Sequence, residues 1–331
     1  MEKKVFIGID VSKLKLDVSF LVDGDIGNVQ HFIVGNSSKG FQQMQNKLSK
    51  LGHGIGSMLF CFENTGVYSI GLAFYLSETG IDFCHESALR IKRSLGIKRG
   101  KNDKLDSKEI AGYAYTHRDK LRLSTILGQE LQELKILLSY RERLMKQKNA
   151  LLVSAREAYE CFENETTKFI LDDSNELIPQ YEKKIENVER EMKRLIEKDE
   201  KLKQNFTLAT SVVGISLIVG SYMLVQTNNF TRFNQREYAC HAGIAPFENS
   251  SGKDVPQKRK TSKMADRKIK PLLTNAALSA RQHDPQIKHY YNRKIKEGKN
   301  KFCVLNAVRF KLVSRVFSTV KRGTPYVKMA H

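Results

Sequence analysis

Between Val5 and Ala88, short runs of β-branched and aromatic residues alternate with turn residues and with stretches of helical spacing, and this alternation constrains the fold more than any other feature of the chain. Three strands come first, at Val5 to Val11, Lys15 to Val22 and Val29 to Val34. The gaps between them, Ser12-Lys13 and Asp23-Gly24-Asp25, suit an antiparallel meander. A helix is expected from Phe41 to Leu51, a buried strand from Met58 to Glu63, a second helix from Val67 to Ser77 and a fifth strand from Ile81 to Glu86.

The order β-β-β-α-β-α-β is that of an RNase H-like sheet, in which the first and fourth strands are neighbours. Asp10 closes the first of those strands and Glu63 the fourth, so the two acids are expected to converge. A carboxylate at the end of an apolar strand costs several kcal/mol unless cations or donors compensate it. After a basic linker, Arg90 to Lys104, a helix from Asp103 to Tyr115 opens with Asp103 and Asp106 three residues apart, on one face and at the end where the helix dipole favours negative charge. Four carboxylates around one point suit a hard cation, Mg²⁺ or Mn²⁺, of the kind that assists phosphoryl transfer. Asp103 and Asp106 could instead cap their helix. Asp10 could instead be the phosphate-loop acid of an actin-like sugar kinase, but the chain lacks a second glycine-rich loop and its basic excess has no role there.

Composition changes further on. Leu127, Leu131, Leu134, Leu138, Met145 and Leu152 follow a 4-3-4 spacing, and Ile178, Tyr181, Ile185, Val188, Met192, Leu195 and Leu202 a 3-4 spacing broken at Asp199, which together read as a helical hairpin reversing near Asp172-Asp173-Ser174. Arg141 and Lys148 interrupt the first seam, and the pair serves equally well as a spacer or as a dimer contact. From Phe206 the chain is mostly helical, with a glycine turn at Val213-Gly214-Ile215, a polar basic loop from Phe247 to Lys263, and helices at Pro271 to Arg281 and Lys301 to Val320. Tyr290-Tyr291 could pack on a helix or stack on bases, and packing is favoured. The net charge is +20, and from Asn205 to the C-terminus 23 Lys/Arg face 6 Asp/Glu, so +17 of it lies there. A polyanion, nucleic acid by default, is the expected partner. Five scattered cysteines exclude a zinc ribbon. No apolar stretch reaches membrane-spanning length and no signal peptide is visible, which points to a cytoplasmic, nucleoid-associated protein without a membrane partner.

The order G-I-D-V-S, F-E-N-T-G, K-N-D-K-L-D, then A-G-I-A-P and S-S-G, resembles the DEDD transposase family of insertion sequences, the one-ten type, related to the Piv invertases and to bridge-RNA-guided recombinases. The resemblance implies a RuvC-like domain over residues 1–122 carrying Asp10, Glu63, Asp103 and Asp106, a coiled-coil hairpin over 123–204, and a C-terminal transposase domain over 205–331 with a nucleophilic serine at Ser251, Ser250 being its neighbour and competitor. It further implies a covalent phosphoserine intermediate, a composite site drawing on both domains, a guiding noncoding RNA, and a homo-oligomer, dimer or tetramer. The cations Lys253, Lys258, Arg259, Lys260, Lys263, Arg267, Lys268 and Lys270 read as nucleic-acid contacts. The sequence Ser262-Lys263-Met264-Ala265 departs from the family pattern, which has a glycine two residues beyond Ser-Lys. Two other functions fit parts of this reading: a RuvC-like nuclease resolving branched DNA with the acids alone, and a non-catalytic nucleic-acid scaffold.

Overall fold

The computed structural model describes residues 3–63, 66–94, 102–124, 126–247, 260–261 and 265–328. The chain divides into two compact units, Met1–Ile126 and Leu127–His331.

The first unit is built on a five-stranded sheet of order β3-β2-β1-β4-β5, comprising β1 (Val5–Val11), β2 (Lys15–Val22), β3 (Gln30–Gly35), β4 (Met58–Glu63) and β5 (Phe83–Glu86). β1 pairs antiparallel with β2, and β2 with β3, as a meander must, while β4 lies parallel to β1 and β5 parallel to β4. The first, second and fourth strands have the expected bounds, and the third and fifth begin one and two residues later than expected. Helices α1 (Ser38–Ser49) and α2 (Ile70–Glu78) connect the later strands, followed by α3 (Ala88–Ser94) and α4 (Asp103–Thr116). β1 and β4 are buried along almost their whole length because both faces of the sheet are covered. Met44, Leu48, Leu72 and Leu76 of α1 and α2 pack with Ile7, Ile9, Phe60 and Phe62 on one face. Ile110, Ala111 and Ala114 of α4 pack with Phe6, Leu21, Leu59 and Cys61 on the other.

The second unit opens with two long helices, α5 (Gln129–Cys161) and α6 (Glu165–Lys198). Their antiparallel run is visible in two ion pairs, Arg141 Nε to Glu189 Oε1 at 2.7 Å and Lys148 Nζ to Glu182 Oε1 at 3.0 Å, in which the second partner steps back as the first steps forward. The expected reversal near Asp172 to Ser174 is wrong, since those residues lie inside α6. The chain turns at Phe162 to Asn164, where Asn164 and Thr167 form a capping box that starts the second helix. Asp199 ends α6 and caps α7 (Glu200–Thr210), which accounts for the break in the apolar spacing. Next come α8 (Leu217–Thr227), α9 (Gln235–His241), a two-stranded ribbon of β6 (Pro246–Phe247) and β7 (Lys260–Thr261), then α10 (Ile269–His283), α11 (Pro285–Lys296) and α12 (Lys301–Arg322). Helices α8 to α12 share one core, with Met223, Tyr238, Leu273, Ala277, Val308 and Leu312 fully buried. Gly214, at φ +93°, is pressed against α10, where a Cβ would fall 2.3 Å from the Ala276 carbonyl oxygen. Close helix approach therefore explains this glycine. No helix among the described residues is long and apolar enough to cross a membrane.

Candidate functional site

The sheet and α4 are joined at one glycine. A Cβ on Gly8 would lie 2.1 Å from the Ala111 amide nitrogen and 2.3 Å from the Ser107 carbonyl oxygen, so only glycine in mid-strand lets α4 lie this close to β1. Opposite Gly8 in the sheet stands Ser19, whose hydroxyl meets that of Ser107 at 2.7 Å in a fully buried contact. This contact sets the first turn of α4, with Asp103 and Asp106, at the end of β1 that carries Asp10. Helix capping does not occupy these two acids, because Asn102 is the cap and its side chain accepts from the Lys104 amide at 3.0 Å.

Strand register supplies the rest of the row. Asp10 is directly opposite Asp17 on β2, the β1/β4 pairing runs to Ile9 opposite Phe62 so that Asp10 and Glu63 come next, and Glu63 is opposite Glu86 on β5. Acids thus cross four strands on the face that α4 covers. The consequence is electrostatic. Burial, followed by the negative charges of Asp103, Asp106, Asp17 and Glu63, pushes the Asp10 carboxyl up to about 6. The other three acids expected from the sequence, Glu63, Asp103 and Asp106, therefore all act on Asp10, and Asp17 acts on it with them.

Three further residues at this site have no motif behind them in the sequence reading. Asp17 is 3% exposed; its Oδ1 lies 3.0 Å from His31 Nε2 on β3, and its Oδ2 2.9 Å from Lys15 Nζ. The same Lys15 ammonium donates to Asp103 Oδ2 at 2.9 Å. Hydrogen bonding to Asp17 first, and to Asp103 second, raises the Lys15 pKa and keeps the ammonium charged. The period of two along β2 was the available signal, since it puts Lys15, Asp17 and Ser19 on one face. A set of oxygen donors repelling one another suits a hard divalent cation. Among the described residues, however, no three His, Cys, Asp or Glu side chains are gathered closely enough to hold an ion as they stand.

In the second unit, Ser251, Lys253, Lys258, Arg259 and Lys263 lie outside the described residues, and of Lys260 only the backbone, in β7, is described. The flanks of that segment are tied together. β6 and β7 pair, the Asp266 amide donates to the His241 carbonyl at 2.8 Å, and Asn306 Nδ2 donates to the Ile244 carbonyl at 2.7 Å. Gly243, at φ +64°, faces Ala265 so closely that a Cβ would fall 2.5 Å from the alanine methyl. Behind them the buried Tyr238 hydroxyl donates to Gln226 Oε1 at 2.8 Å, and Gln226 Nε2 donates to Asp266 Oδ2 at 3.0 Å. Among the expected nucleic-acid cations, Arg267 is exposed, Lys268 is paired with Glu142 at 2.6 Å, and Lys270 is half-buried. Tyr291 belongs to the core and Tyr290 packs against it, with Lys311 4.4 Å above the Tyr290 ring. An open recess lined by Arg281, Tyr291, Asn292, Ile295, Lys296 and Lys301 presents three cations and no acid.

Comparison with known proteins bears on both units. Residues 7–158 match a family model of DEDD transposases of the IS110 type, described as "Transposase", and residues 207–292 match one described as "Transposase IS116/IS110/IS902 family". The pilin gene-inverting protein of Moraxella bovis is 22% identical over 346 aligned residues that cover 99% of each chain, and the pilin gene-inverting protein of Moraxella lacunata is similar to the same extent. With one family matched in both units and over more than two thirds of its length, the chain belongs to the IS110 family of DEDD transposases.

Proposed function

We propose that this chain is a DNA-rearranging recombinase of an insertion sequence, whose first unit is an RNase H-like, RuvC-type domain and whose catalytic acids are Asp10, Glu63, Asp103 and Asp106. The observation that carries the reading is Asp10, half-buried and with its carboxyl raised to about 6 in the field of the other acids. A cluster that repels itself destabilises a fold, and a site for a cation is the reason to keep one. Asp10, Glu63, Asp103 and Asp106 would hold Mg²⁺, or Mn²⁺ in its place, which when bound polarises a scissile phosphate.

Ser251 is the proposed nucleophile. Its oxygen attacks the phosphorus of a DNA phosphodiester and loses its proton; a serine–phosphate bond forms as the bond to the 3′ oxygen breaks, and that oxygen leaves as a 3′-hydroxyl. A 3′-hydroxyl of the partner strand then attacks the phosphoserine, reseals the DNA and returns the serine. Bond energy is conserved, so no nucleotide cofactor is needed. The acids and the serine would act at one composite site within a homo-oligomer, dimer or tetramer, since exchange requires several strands to be cut. Supporting cations are Lys253, Lys258, Arg259, Lys260, Lys263 and Arg267, with Lys268 and Lys270 at the start of α10. Site choice by a bridge noncoding RNA is part of the proposal and rests on the family resemblance alone. DNA inversion, which the names of the Moraxella relatives describe, uses the same cutting and joining steps.

The test is a recombination assay with labelled element ends, run with and without RNA transcribed from the DNA that flanks the gene. Ser251→Ala is expected to abolish both joining and the covalent protein–DNA adduct, and Asp10→Ala to abolish all chemistry. Cleavage that persists in Ser251→Ala and is lost in Asp10→Ala identifies a nuclease instead. Cleavage that survives Asp10→Ala removes the acids from the mechanism. Replacing Lys258 and Arg259 by alanine is expected to weaken DNA binding and to reduce its salt slope by about two counterions; an unchanged slope takes the phosphate contacts elsewhere.

A further inference from the structure

Lys15 occupies an unusual place for a lysine that is not itself part of the acid row. Its inner anchor is Asp17, which is buried and held from the other side by His31. Its outer contact is Asp103, whose side chain is half exposed and sits in the first turn of α4. Asp17 stands directly across the strand pair from Asp10, so the ammonium is delivered to the edge of the site where negative charge is densest. Asp103 is engaged with Lys15, and no three acids among the described residues are gathered for a metal.

We infer that Lys15, anchored by Asp17 and His31, is a built-in counter-ion of the acid site: it holds Asp103 while no divalent cation is bound and competes with that cation for the same carboxylate. This rests on the metal-centre reading above. The physical reason is that an ammonium 2.9 Å from two carboxylates offsets part of the repulsion that the acids impose on the empty site. The same positive charge lowers the site's affinity for a dication. Lys15 is thus a positioning residue, setting where Asp103 points and how strongly the site calls for metal, without touching the reacting phosphate.

The experiment compares the full-length wild type with Lys15→Met and, as a control, Lys13→Met at an exposed neighbouring lysine. Two quantities are read: thermal unfolding in excess chelator, and Mn²⁺ affinity by titration calorimetry. Lys15→Met is expected to melt several degrees below the wild type in chelator, to bind Mn²⁺ about tenfold more tightly, and to gain more melting temperature on adding Mn²⁺ than the wild type does. Lys13→Met is expected to move none of these. Equal Mn²⁺ affinity in wild type and Lys15→Met overturns the counter-ion while leaving the metal centre standing. Absence of Mn²⁺ binding in both proteins contradicts the metal centre and the competition together. An unchanged melting temperature of Lys15→Met in chelator also overturns the proposal, because the empty site then has no need of the ammonium.

Discussion

The hairpin and the acid row use charge in opposite ways. Along α5 and α6, Arg141 and Lys148 break an apolar seam and each meets a glutamate on the other helix, Glu189 and Glu182. Across β2, β1, β4 and β5, by contrast, acid follows acid, and cations meet the row at its two edges, Lys15 at Asp17 and Asp103 and Arg90 at Glu86, 3.3 Å away. The pairs of the hairpin are a solution to a packing problem and cancel locally. The acid row leaves charge uncancelled in a half-buried place, at a cost to stability, and this separates a site from a scaffold.

The contrast breaks most severely at Gly8, on which the whole acid arrangement depends. Gly8→Ala sets a methyl into the backbone of α4, with no flexible side chain to give way, and is expected to cost about 3 kcal/mol or more in chemical denaturation. Gly54→Ala, at φ −64° with open space around its Cβ, is the matched control and should be near neutral. If the two substitutions cost the same, α4 is not held to β1 through Gly8.

A smaller effect sharpens the comparison through pH. The raised Asp10 carboxyl means that the folded, metal-free protein keeps a proton which the unfolded chain releases near 3.8. Its stability therefore falls as pH rises from about 4 to about 6, and stays lowered above that. Asp10→Asn removes this penalty. In chelator at pH 7 the variant should be about 1–2 kcal/mol more stable than the wild type, allowing for solvent screening of a half-exposed group. Below pH 4 the advantage should vanish. An advantage of the same size at pH 3.5 and pH 7 would mean that charge repulsion is not its source.

The smallest effect belongs to the hairpin. A double-mutant cycle on Arg141→Ala and Glu189→Ala should give a coupling of about 0.5–1 kcal/mol, diminished by salt. A coupling of several kcal/mol would place that pair among the dominant interactions of the unit and undo the contrast with the sheet.

What could be read from the sequence follows the same division. Asp10 and Glu63 were legible as candidates because each stands at the end of an apolar strand, and Asp103 and Asp106 because they open a helix three residues apart, on one face. Asp17 was not, since its alignment with Asp10 is set by the register of a meander, and only the β1/β2 turn decides which residues face each other. Lys15 and His31 depend on that same register. The hairpin's existence was plain from its spacing, but its reversal was misplaced: Asp172, Asp173 and Ser174 look like a turn by composition, whereas the capping box of Asn164 and Thr167 carries the actual signal. Gly8 and Gly243 were read as parts of motifs; the close approach of α4 to one and of Ala265 to the other supplies their physical reason.

The central claim, that the acids meeting at Asp10 form a divalent-cation site, is tested most directly by equilibrium Mn²⁺ binding to the full-length protein and to a variant carrying Asp10→Asn with Glu63→Gln, with folding checked by thermal unfolding in chelator. The account requires saturable binding by the wild type and its loss in a folded double variant. Mn²⁺ bound equally well by both proteins, or by neither, contradicts it.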